Sequence, residues 1–280
     1  MNINYEEILE LIKDSYYVLI GCGEEVSLDG LEDEIYRPLH YLNIKNKKDL
    51  ERVINKNAIG NIMDSILKVY YNKNRDNKNN PYELIYQLVK DKNYFVVNMN
   101  TDLSIYSSSL DRNKIVSPCG NEGLFQCEKL CTQDVWLNDE YIQFIMSNFG
   151  TIIKLAEAGN ESELERYYPK CPRCHGNAIF NIRKDSSNYS EKGYLEQWQV
   201  YMNWFQNTLN RKILMIEFGE NFDNPMVIRW PFEKNTFING KAKMIRINKK
   251  FPQIPEEIGE KSISISMSSI EFLREINKFI

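Results

Sequence analysis

The sequence predicts an α/β fold, a parallel sheet flanked by helices, with a smaller module inserted into it. Short unbroken apolar runs, each followed by a loop rich in glycine or asparagine, are typical of buried parallel strands. Segments with helical periodicity separate these runs, which favours a parallel sheet with its ligand crevice at the carboxyl ends of the strands. Residues 119–185 differ from the rest of the chain in composition, because they hold five of the six cysteines. This segment is the predicted insertion.

The predicted strands are the most apolar segments of the chain. The run at residues 16–20 is stopped by two glycines in three residues, and the run at 213–218 is stopped by one. Residues 94–97 form a third run of this kind, and 226–228 and 244–247 are further strand candidates. All of these runs have the length of strands rather than of buried helices.

Helices are predicted from apolar residues spaced three or four apart and from capping residues. Pro81 suits the first turn of a helix, and Ser268 with Glu271 has the pattern of a capping box. The predicted helices are residues 5–13, 49–71 with an interruption at Gly60, 81–89, 134–158, 196–209 and a closing helix after Ser268.

Length and charge limit the classes of function. The chain has 280 residues, enough for about two domains of roughly 150 residues, and we assign 1–118 and 186–280 to a large domain and 119–185 to the small module. A net charge of −4, with Lys and Glu finely alternating, disfavours nucleic acid as the main partner. No apolar run approaches the 18 or so residues of a membrane span, and the N-terminus has no leader pattern. We therefore expect a cytoplasmic protein that does not contact membranes.

Two close cysteine pairs indicate a metal site. Cys127 and Cys131 flank three residues, and Cys171 and Cys174 flank two. Each pair can present two thiolates from one tight turn, and two such turns complete the tetrahedron that Zn²⁺ prefers. The small module is therefore predicted to be zinc-binding, and four sulfur ligands give that zinc a structural role. The alternative is four unliganded, buried cysteines.

Polar loops follow the first two predicted strands. Gly21 and Gly23 let a backbone pass close to a phosphate, and Ser27 can open the next helix and donate a hydrogen bond. Asn100 and Asp102, after the second strand, can hold ribose hydroxyls or an amide-bearing ring. Both patterns also occur as ordinary turns, because asparagine and aspartate readily bond their own backbone.

Taken in order, these segments resemble the sirtuin family, and within it the macrodomain-associated branch found in microbes. The densest part of the resemblance is Gly-Asn-Glu-Gly-Leu-Phe-Gln-Cys at residues 120–127, followed by the three-residue spacing to Cys131. A second part extends from Ile-Glu-Phe-Gly at 216–219 through Asp-Asn-Pro to Ile-Arg-Trp-Pro-Phe at 228–232. The resemblance covers nearly the whole chain, from about residue 16 to residue 248.

The resemblance implies that the large domain is Rossmann-like and binds NAD in a crevice beside the zinc module. The residues that it places at the cofactor are Gly21, Cys22, Gly23, Ser27, Asn100, Asp102, Gly219 and Asn248. Asn100, Asp102 and Cys119 are the candidate catalytic positions. The implied activity is transfer of ADP-ribose from NAD to an acyl-lysine or another protein acceptor, as a protein ADP-ribosyltransferase or deacylase, and a macrodomain protein is a candidate partner.

Four residues depart from the family's pattern. Cys119 stands where the family has a catalytic histidine, or a glutamine in the macrodomain-associated branch, and a thiol with an ordinary pKa of about 8.5 is a poor base at neutral pH. Deacylation is therefore disfavoured, whereas ADP-ribosyl transfer is less affected, and Cys119 is alternatively an inert buried thiol. Glu24 and Glu25 replace small residues around the pyrophosphate, and Glu220 replaces an apolar residue that precedes the ribose. A carboxylate about 4 Å from a phosphate charge costs on the order of 1 kcal/mol in water and more in a partly dry crevice.

Two functions follow from this pattern and its departures. The first is a sirtuin-like enzyme that uses NAD to modify a protein side chain. The second is a catalytically degenerate, sirtuin-like binding module that keeps the fold and the zinc but has lost the NAD chemistry, and the glutamates in the crevice motivate it. A zinc-ribbon protein that contacts nucleic acid is disfavoured by the acidic balance.

Overall fold

The computed structural model describes residues 3–27, 32–54, 59–74, 80–183 and 188–280. Its strands are β1 (Tyr17–Cys22), β2 (Asn93–Asn98), β3 (Ile115–Val116), β4 (Gly120–Cys127), β5 (Val135–Leu137), β6 (Ala178–Ile182), β7 (Ile213–Phe218), β8 (Ala242–Ile247) and β9 (Ser262–Ile265). Its α-helices are α1 (Tyr5–Asp14), α2 (Glu32–Tyr36), α3 (Lys47–Ile54), α4 (Gly60–Asn74), α5 (Pro81–Val89), α6 (Asp139–Glu157), α7 (Glu161–Leu164), α8 (Lys192–Gln206), α9 (Arg229–Ile238) and α10 (Ser269–Ile276).

A six-stranded sheet with the order β3-β2-β1-β7-β8-β9 forms the centre of the fold. All of its neighbouring strands pair in parallel. Cys22 at the end of β1 lies opposite Asn98 of β2 and Phe218 of β7. The loops that follow these three strands therefore emerge side by side at one edge of the sheet, as the ligand crevice of an open α/β sheet requires.

Helices cover both faces of this sheet. Side chains alternate along a strand, so Val18 and Ile20 of β1 pack in one core with α1, α5 and α10, whereas Leu19 packs on the opposite face with α8 and α9. The strand is buried at every position. The predicted fold class, a Rossmann-like sheet flanked by helices, is confirmed.

A smaller antiparallel sheet with the order β5-β4-β6 lies within residues 119–185. The helix α6 lies between β5 and β6 in the chain, and its apolar face shares a core with α2, α3 and α4. Residues from the N-terminal part of the chain thus support the inserted module. The domain boundaries at 118 and 186 remain a proposal.

Most predicted elements form, and two differ. Residues 226–228, predicted as a strand, are a turn before α9, because Ile228 turns into the core against β1 and the buried Arg229 begins the helix. The helix predicted from residue 134 begins at Asp139, after β5. The segment 49–71 is interrupted, as predicted, and forms the two helices α3 and α4. Residues 55–58 lie outside the described residues.

The closing helix α10 begins after Ser268, as predicted, but its N-terminus is not capped by the predicted capping box of Ser268 and Glu271. Within the described residues, the Ser268 side chain makes no capping hydrogen bond. Glu25, distant in sequence, accepts from the Ser269 backbone N–H at 3.0 Å instead. Each helix in the described ranges is too short or too polar to cross a bilayer.

Candidate functional site

The loops after β1 and β2 border a cavity of about 230 Å³. Its lining is Ser27, Ile35, Lys68, Tyr71, Asn72, Asn100, Thr101, Asp102 and Glu122. A single water needs only about 10–15 Å³ of such space, so a ring-sized ligand can enter. All lining residues except Ile35 have polar side chains, and the cavity lies at the strand ends, where folds of this class bind ligands.

Three of the predicted site residues, Ser27, Asn100 and Asp102, come together in this cavity. The Asp102 Oδ1 accepts a hydrogen bond from the Ser104 backbone N–H at 2.8 Å, so the ordinary turn that the sequence left as an alternative is also present. The two roles are compatible, because a carboxylate has about four lone-pair sites.

Asn100 joins the loop after β2 to the loop after β1. Its Nδ2 donates to the Gly23 carbonyl at 2.8 Å and to the Tyr82 hydroxyl at 2.9 Å. Both amide hydrogens are thereby used, so any further hydrogen bond of this side chain is one that its oxygen accepts. Tyr82, buried on α5, donates in turn to Asn98 Oδ1 at 3.0 Å, and this chain of bonds fixes the orientation of Asn100.

The predicted phosphate-loop glycines are required by close packing. A Cβ at Gly21 would lie 2.5 Å from Ile228 Cγ2, and one at Gly23 would lie 2.5 Å from the Gly219 carbonyl oxygen. Gly219 has a φ of +61°, and a Cβ there would lie 2.2 Å from the Cβ of Glu25. Glycine at these three positions therefore brings the loops after β1 and β7 into direct contact.

The two glutamates of the loop after β1 have different environments. Glu24 is exposed to solvent. Both oxygens of Glu25 are engaged: Oε1 accepts from the Lys249 N–H at 2.9 Å, and Oε2 accepts from the N–H and the hydroxyl of Ser269 at 3.0 and 2.8 Å. The repulsion of a phosphate that the sequence predicts here is therefore reduced. The charge of Glu24 is screened by water, and that of Glu25 is compensated by three donors, two of them at the N-terminus of α10.

Glu220 is the glutamate that is buried at the crevice, with 2% of its surface exposed. Burial, together with the charges of Glu217 and Glu24, raises its pKa to about 8. At neutral pH it is mostly a neutral carboxylic acid, which can donate a hydrogen bond to an anion instead of repelling it.

The two cysteines predicted at the crevice are buried thiols. Burial, and to a smaller extent Glu220, raises the pKa of Cys22, which is fully buried in the core at the end of β1. Burial also raises the pKa of Cys119, against the opposing effect of Arg183. Both thiols are protonated at neutral pH, and the geometry favours the alternative of an unreactive Cys119.

Asn248 is bound within its own loops. Its Nδ2 donates to the Glu220 carbonyl at 2.7 Å, and its Oδ1 accepts from the N–H groups of Lys250 and Phe251 at 2.9 and 2.7 Å. The Gly219 N–H donates to the Ile247 carbonyl at 2.8 Å. Asn248 thus holds the loop after β7 against the loop after β8 and fixes the position of Glu220.

A buried ion cluster lies beneath these two loops. Glu217 on β7 accepts two hydrogen bonds from Arg246 on β8, Nε to Oε1 at 2.8 Å and Nη2 to Oε2 at 2.9 Å. Arg229, at the start of α9, lies 3.4 Å from Glu217 Oε1 and donates to the Phe251 carbonyl at 3.2 Å. Glu217 and Arg246 are both 0% exposed, so their main effect is to fix the strand ends and α9 in one arrangement.

The four paired cysteines converge in the small module. The sulfur atoms of Cys127, Cys131, Cys171 and Cys174 all lie within 4.8 Å of one another. The Cys127 and Cys174 sulfurs are 3.7 Å apart, and those of Cys131 and Cys171 are 3.6 Å apart. A tetrahedron with Zn–S bonds of about 2.3 Å has edges of about 3.8 Å, so the residues present fit one Zn²⁺.

The turns that carry these cysteines have the geometry of metal-binding turns. Leu130 and His175 adopt positive φ values of 49° and 58°, and the backbone N–H groups of Lys129 and Cys131 donate to the Cys127 sulfur. Such bonds hold thiolates for a metal. His175 is exposed, and the four sulfurs alone complete the ligand set.

Glu122 on β4 is a cavity residue that the sequence motifs do not single out. It is 9% exposed, and its Oε2 has no hydrogen-bond partner among the residues that the structure describes. Burial, opposed by Lys68 and assisted by Asp102 and Asp64, raises its pKa to about 7. The sequence signal that points to it is an acidic residue two positions before the apolar pair Leu-Phe in the same strand.

Comparisons with solved structures identify the class of fold. A structure on the basis of sirtuin substrate affinity has 14% sequence identity and a TM-score of 0.55, and the match covers 99% of this chain and 98% of that one. A Sir2 homologue in complex with NAD has 12% identity and a TM-score of 0.55, with 99% and 94% covered. The chain therefore has the sirtuin fold, which confirms the resemblance predicted from the motifs.

The sequence comparisons add one curated relative. "Protein ADP-ribosyltransferase" of Staphylococcus aureus (strain Mu50 / ATCC 700699) is 25% identical over 187 residues, 66% of this chain and 56% of the relative. The chain therefore spans little more than half the length of that protein. No family model matches the sequence.

Proposed function

We propose that this chain is a sirtuin-like, NAD-dependent protein ADP-ribosyltransferase with a structural zinc. The observation that carries the proposal is the polar cavity at the strand ends, which gathers Ser27, Asn100 and Asp102 in a sirtuin fold. The similarity to the staphylococcal protein ADP-ribosyltransferase supports the same reaction class. When bound, NAD would supply an ADP-ribosyl group for a protein side chain and release nicotinamide.

In this proposal the cavity residues bind and orient the nicotinamide end of the cofactor. The Asn100 side chain, fixed by Gly23 and Tyr82, presents its oxygen to a carboxamide or hydroxyl donor. Asp102 accepts a second hydrogen bond, and Ser27 donates one. Preorganised polar groups of this kind assist the departure of a leaving group without a reorganisation cost.

The neutral form of Glu220 removes the main electrostatic objection to the cofactor. Its pKa of about 8 makes it a hydrogen-bond donor at pH 7, and a bound diphosphate would raise that pKa further. Of the three crevice glutamates, Glu24 is in solvent and Glu25 is compensated by Lys249 and Ser269. The remaining charge at the crevice is therefore compatible with a dinucleotide.

Deacylation is the less favoured branch of this proposal. It would need a base at the position of Cys119, and burial raises the pKa of that thiol, so little thiolate forms at neutral pH. ADP-ribosyl transfer to a protein acceptor does not require a base at this position.

The zinc, the compartment and the partner complete the proposal. Four thiolates leave zinc no open position, so it would hold β4 and the turn before β6 together. Because the six cysteines are not paired in disulfides, the reducing cytoplasm is the proposed compartment. A macrodomain protein remains the candidate partner on the resemblance to the macrodomain-associated branch.

A catalytically degenerate binding module is the second candidate. The observation that favours it is that the amide groups of Asn100 and Asn248 donate to the protein itself. A site whose donors are already satisfied binds polar ligands less strongly, because each ligand group must replace an existing bond.

One experiment separates the two candidates. Zinc-loaded protein is incubated with NAD and candidate acceptor proteins, nicotinamide is measured by chromatography, and ADP-ribosylated peptides are measured by mass spectrometry. The Asp102→Asn variant should slow release at least about tenfold, whereas Glu157→Gln, at an exposed site on α6, should not. If no nicotinamide is released with any acceptor, the enzyme proposal is wrong, and weak or absent NAD binding in calorimetry then supports the binding module.

A further inference from the structure

Glu122 lies on the part of β4 that is tied to the loop after β2. Its backbone N–H donates to the Thr101 carbonyl at 2.8 Å, and its carbonyl accepts from Asn138 Nδ2 at 2.8 Å. The pairing of β4 with β6 shifts register between Asn121 and Phe125. Such irregularities re-aim a side chain, and here the Glu122 side chain lines the same cavity as Asp102.

The cavity has few groups that can take a proton at neutral pH. The sequence contains two histidines, and the described lining includes neither. His175 is exposed in a zinc-module turn, and Cys119 has a raised pKa. Asp102 already accepts from Ser104. Glu122 Oε2, in contrast, has no partner within the described parts of the chain.

The charges that face Glu122 come from two elements. On α4, Lys68 lowers its pKa and Asp64 raises it, and the Ser65 hydroxyl donates to its carboxylate; in the loop after β2, Asp102 raises it. Burial is the largest influence, and the resulting pKa of about 7 is the value at which a general base works best near neutral pH.

We propose that Glu122 is the general base that takes the proton of the acceptor, and that the acceptor is a hydroxyl-bearing protein side chain or water. The inference rests on the proposed function. Glu122 Oε2 takes the hydroxyl proton while the acceptor oxygen bonds to C1′ of the ribose. The bond from C1′ to the pyridinium nitrogen breaks, and its electron pair leaves with nicotinamide, which becomes neutral. Glu122 then returns its proton to water.

The choice of a hydroxyl follows from the presence of a buried base. A carboxylate acceptor carries no proton to remove and would be repelled by a second carboxylate in a buried cavity. A hydroxyl is a weak nucleophile until its proton is taken. Glu122 therefore selects acceptors that can donate a proton to it.

The test is the pH dependence of nicotinamide release at saturating NAD, with water or a serine-bearing acceptor, between pH 5.5 and 9. Wild-type protein should show a rate that rises about tenfold per pH unit and levels off above about 7. Glu122→Gln should lose at least about 100-fold in rate at pH 8 and show no such step. Glu157→Gln is the matched control, with the wild-type profile expected.

Two further variants distinguish a base from a residue that only maintains the cavity. Glu122→Asp should keep a pH step at reduced rate, and the rate of Glu122→Ala should rise with added formate, which can occupy the vacated space. Zinc content and melting temperature identify any variant that fails to fold, and Glu122→Asp then carries the comparison.

The possible results distinguish a wrong role for Glu122 from a wrong proposed function. If Glu122→Gln retains the wild-type rate and pH step, or if Glu122→Ala is slow and formate has no effect, Glu122 is not the base while the transferase proposal stands. If wild-type protein itself releases no nicotinamide at any pH, both proposals are wrong.

Discussion

Glu25 and Ser269 are joined by two hydrogen bonds, from the backbone N–H and from the hydroxyl of Ser269, at 3.0 and 2.8 Å. The loop after β1 thereby caps α10, and the carboxylate lies at the N-terminal end of this helix, where negative charge is favoured. The same carboxylate accepts from Lys249, so Glu25 ties together the ends of β1, β8 and α10.

Removal of this carboxylate should destabilise the fold. Glu25→Ala leaves the Ser269 and Lys249 N–H groups without their acceptor, and we expect the free energy of unfolding to fall by about 1–3 kcal/mol. Urea denaturation measures this, with Glu24→Ala as the control, since Glu24 is exposed. Equal unfolding midpoints for the two variants would show that the Glu25 bonds contribute nothing.

The cysteine site should hold about one zinc per chain. Cys171→Ser should lose the metal and lower the melting temperature, because the metal's binding free energy is part of the folding free energy of the module. Cys119→Ser should keep both, since its thiol lies outside the cluster. Elemental analysis and thermal melts test this. A metal-free wild-type protein that melts at the same temperature as the zinc-loaded protein would contradict it.

Stability should fall as the pH rises from about 5 to 8. Burial raises the pKa of Glu122 to about 7 and that of Glu220 to about 8, so the folded state binds protons that the unfolded state has released. The stability tied to these protons is fully present below about pH 4.5 and is lost as the pH passes the folded-state values.

The Glu122 share of this loss can be isolated. Glu122→Gln removes it, so the free energy of unfolding of the variant should drop by about 3 kcal/mol less than that of wild type between pH 5 and 8. Urea denaturation at the two pH values gives the difference, in which other titrating groups cancel. Parallel losses in wild type and variant would mean that Glu122 is ionised without cost.

The buried ion cluster should be sensitive to loss of one partner. Arg246→Met leaves Glu217 buried without its bidentate partner and should cost about 3–5 kcal/mol. The double variant with Glu217→Met should regain most of that loss, because no uncompensated charge remains. Denaturation of both variants measures the coupling, and a double variant no more stable than Arg246→Met would show that the cluster acts through packing alone.

The fold and the metal site are the parts that local sequence patterns could predict. Buried strands and paired cysteines have signals within a few residues. Those signals correctly predicted β1, β2 and β7 and the convergence of the four paired cysteines, and zinc binding by them stays a prediction. The strand prediction at 226–228 was wrong because three apolar residues fit a turn packed into the core as well as a strand. The neighbours that decide it, Gly21 and Glu217, lie elsewhere in the chain.

The environment of each charged group could not be predicted in the same way. The partner of Glu25 is 244 residues away in sequence, so its compensation by Ser269 has no local signal. Glu122 became a candidate only when the fold brought β4 beside α4 and the loop after β2. A pKa depends on all groups that approach in space, and the sequence records few of them.

The central claim is that NAD binds with its nicotinamide end in the cavity between Asn100, Asp102 and Glu122. A crystal structure of the zinc-loaded protein with saturating NAD or ADP-ribose and nicotinamide tests it most directly. We predict a planar ring in that cavity, within hydrogen-bond distance of Asn100 and Asp102, with the diphosphate beside a protonated Glu220. An empty cavity at saturating ligand, with the packing around Glu220 unchanged from the ligand-free protein, would contradict the claim. It would leave a zinc-stabilised scaffold without cofactor chemistry.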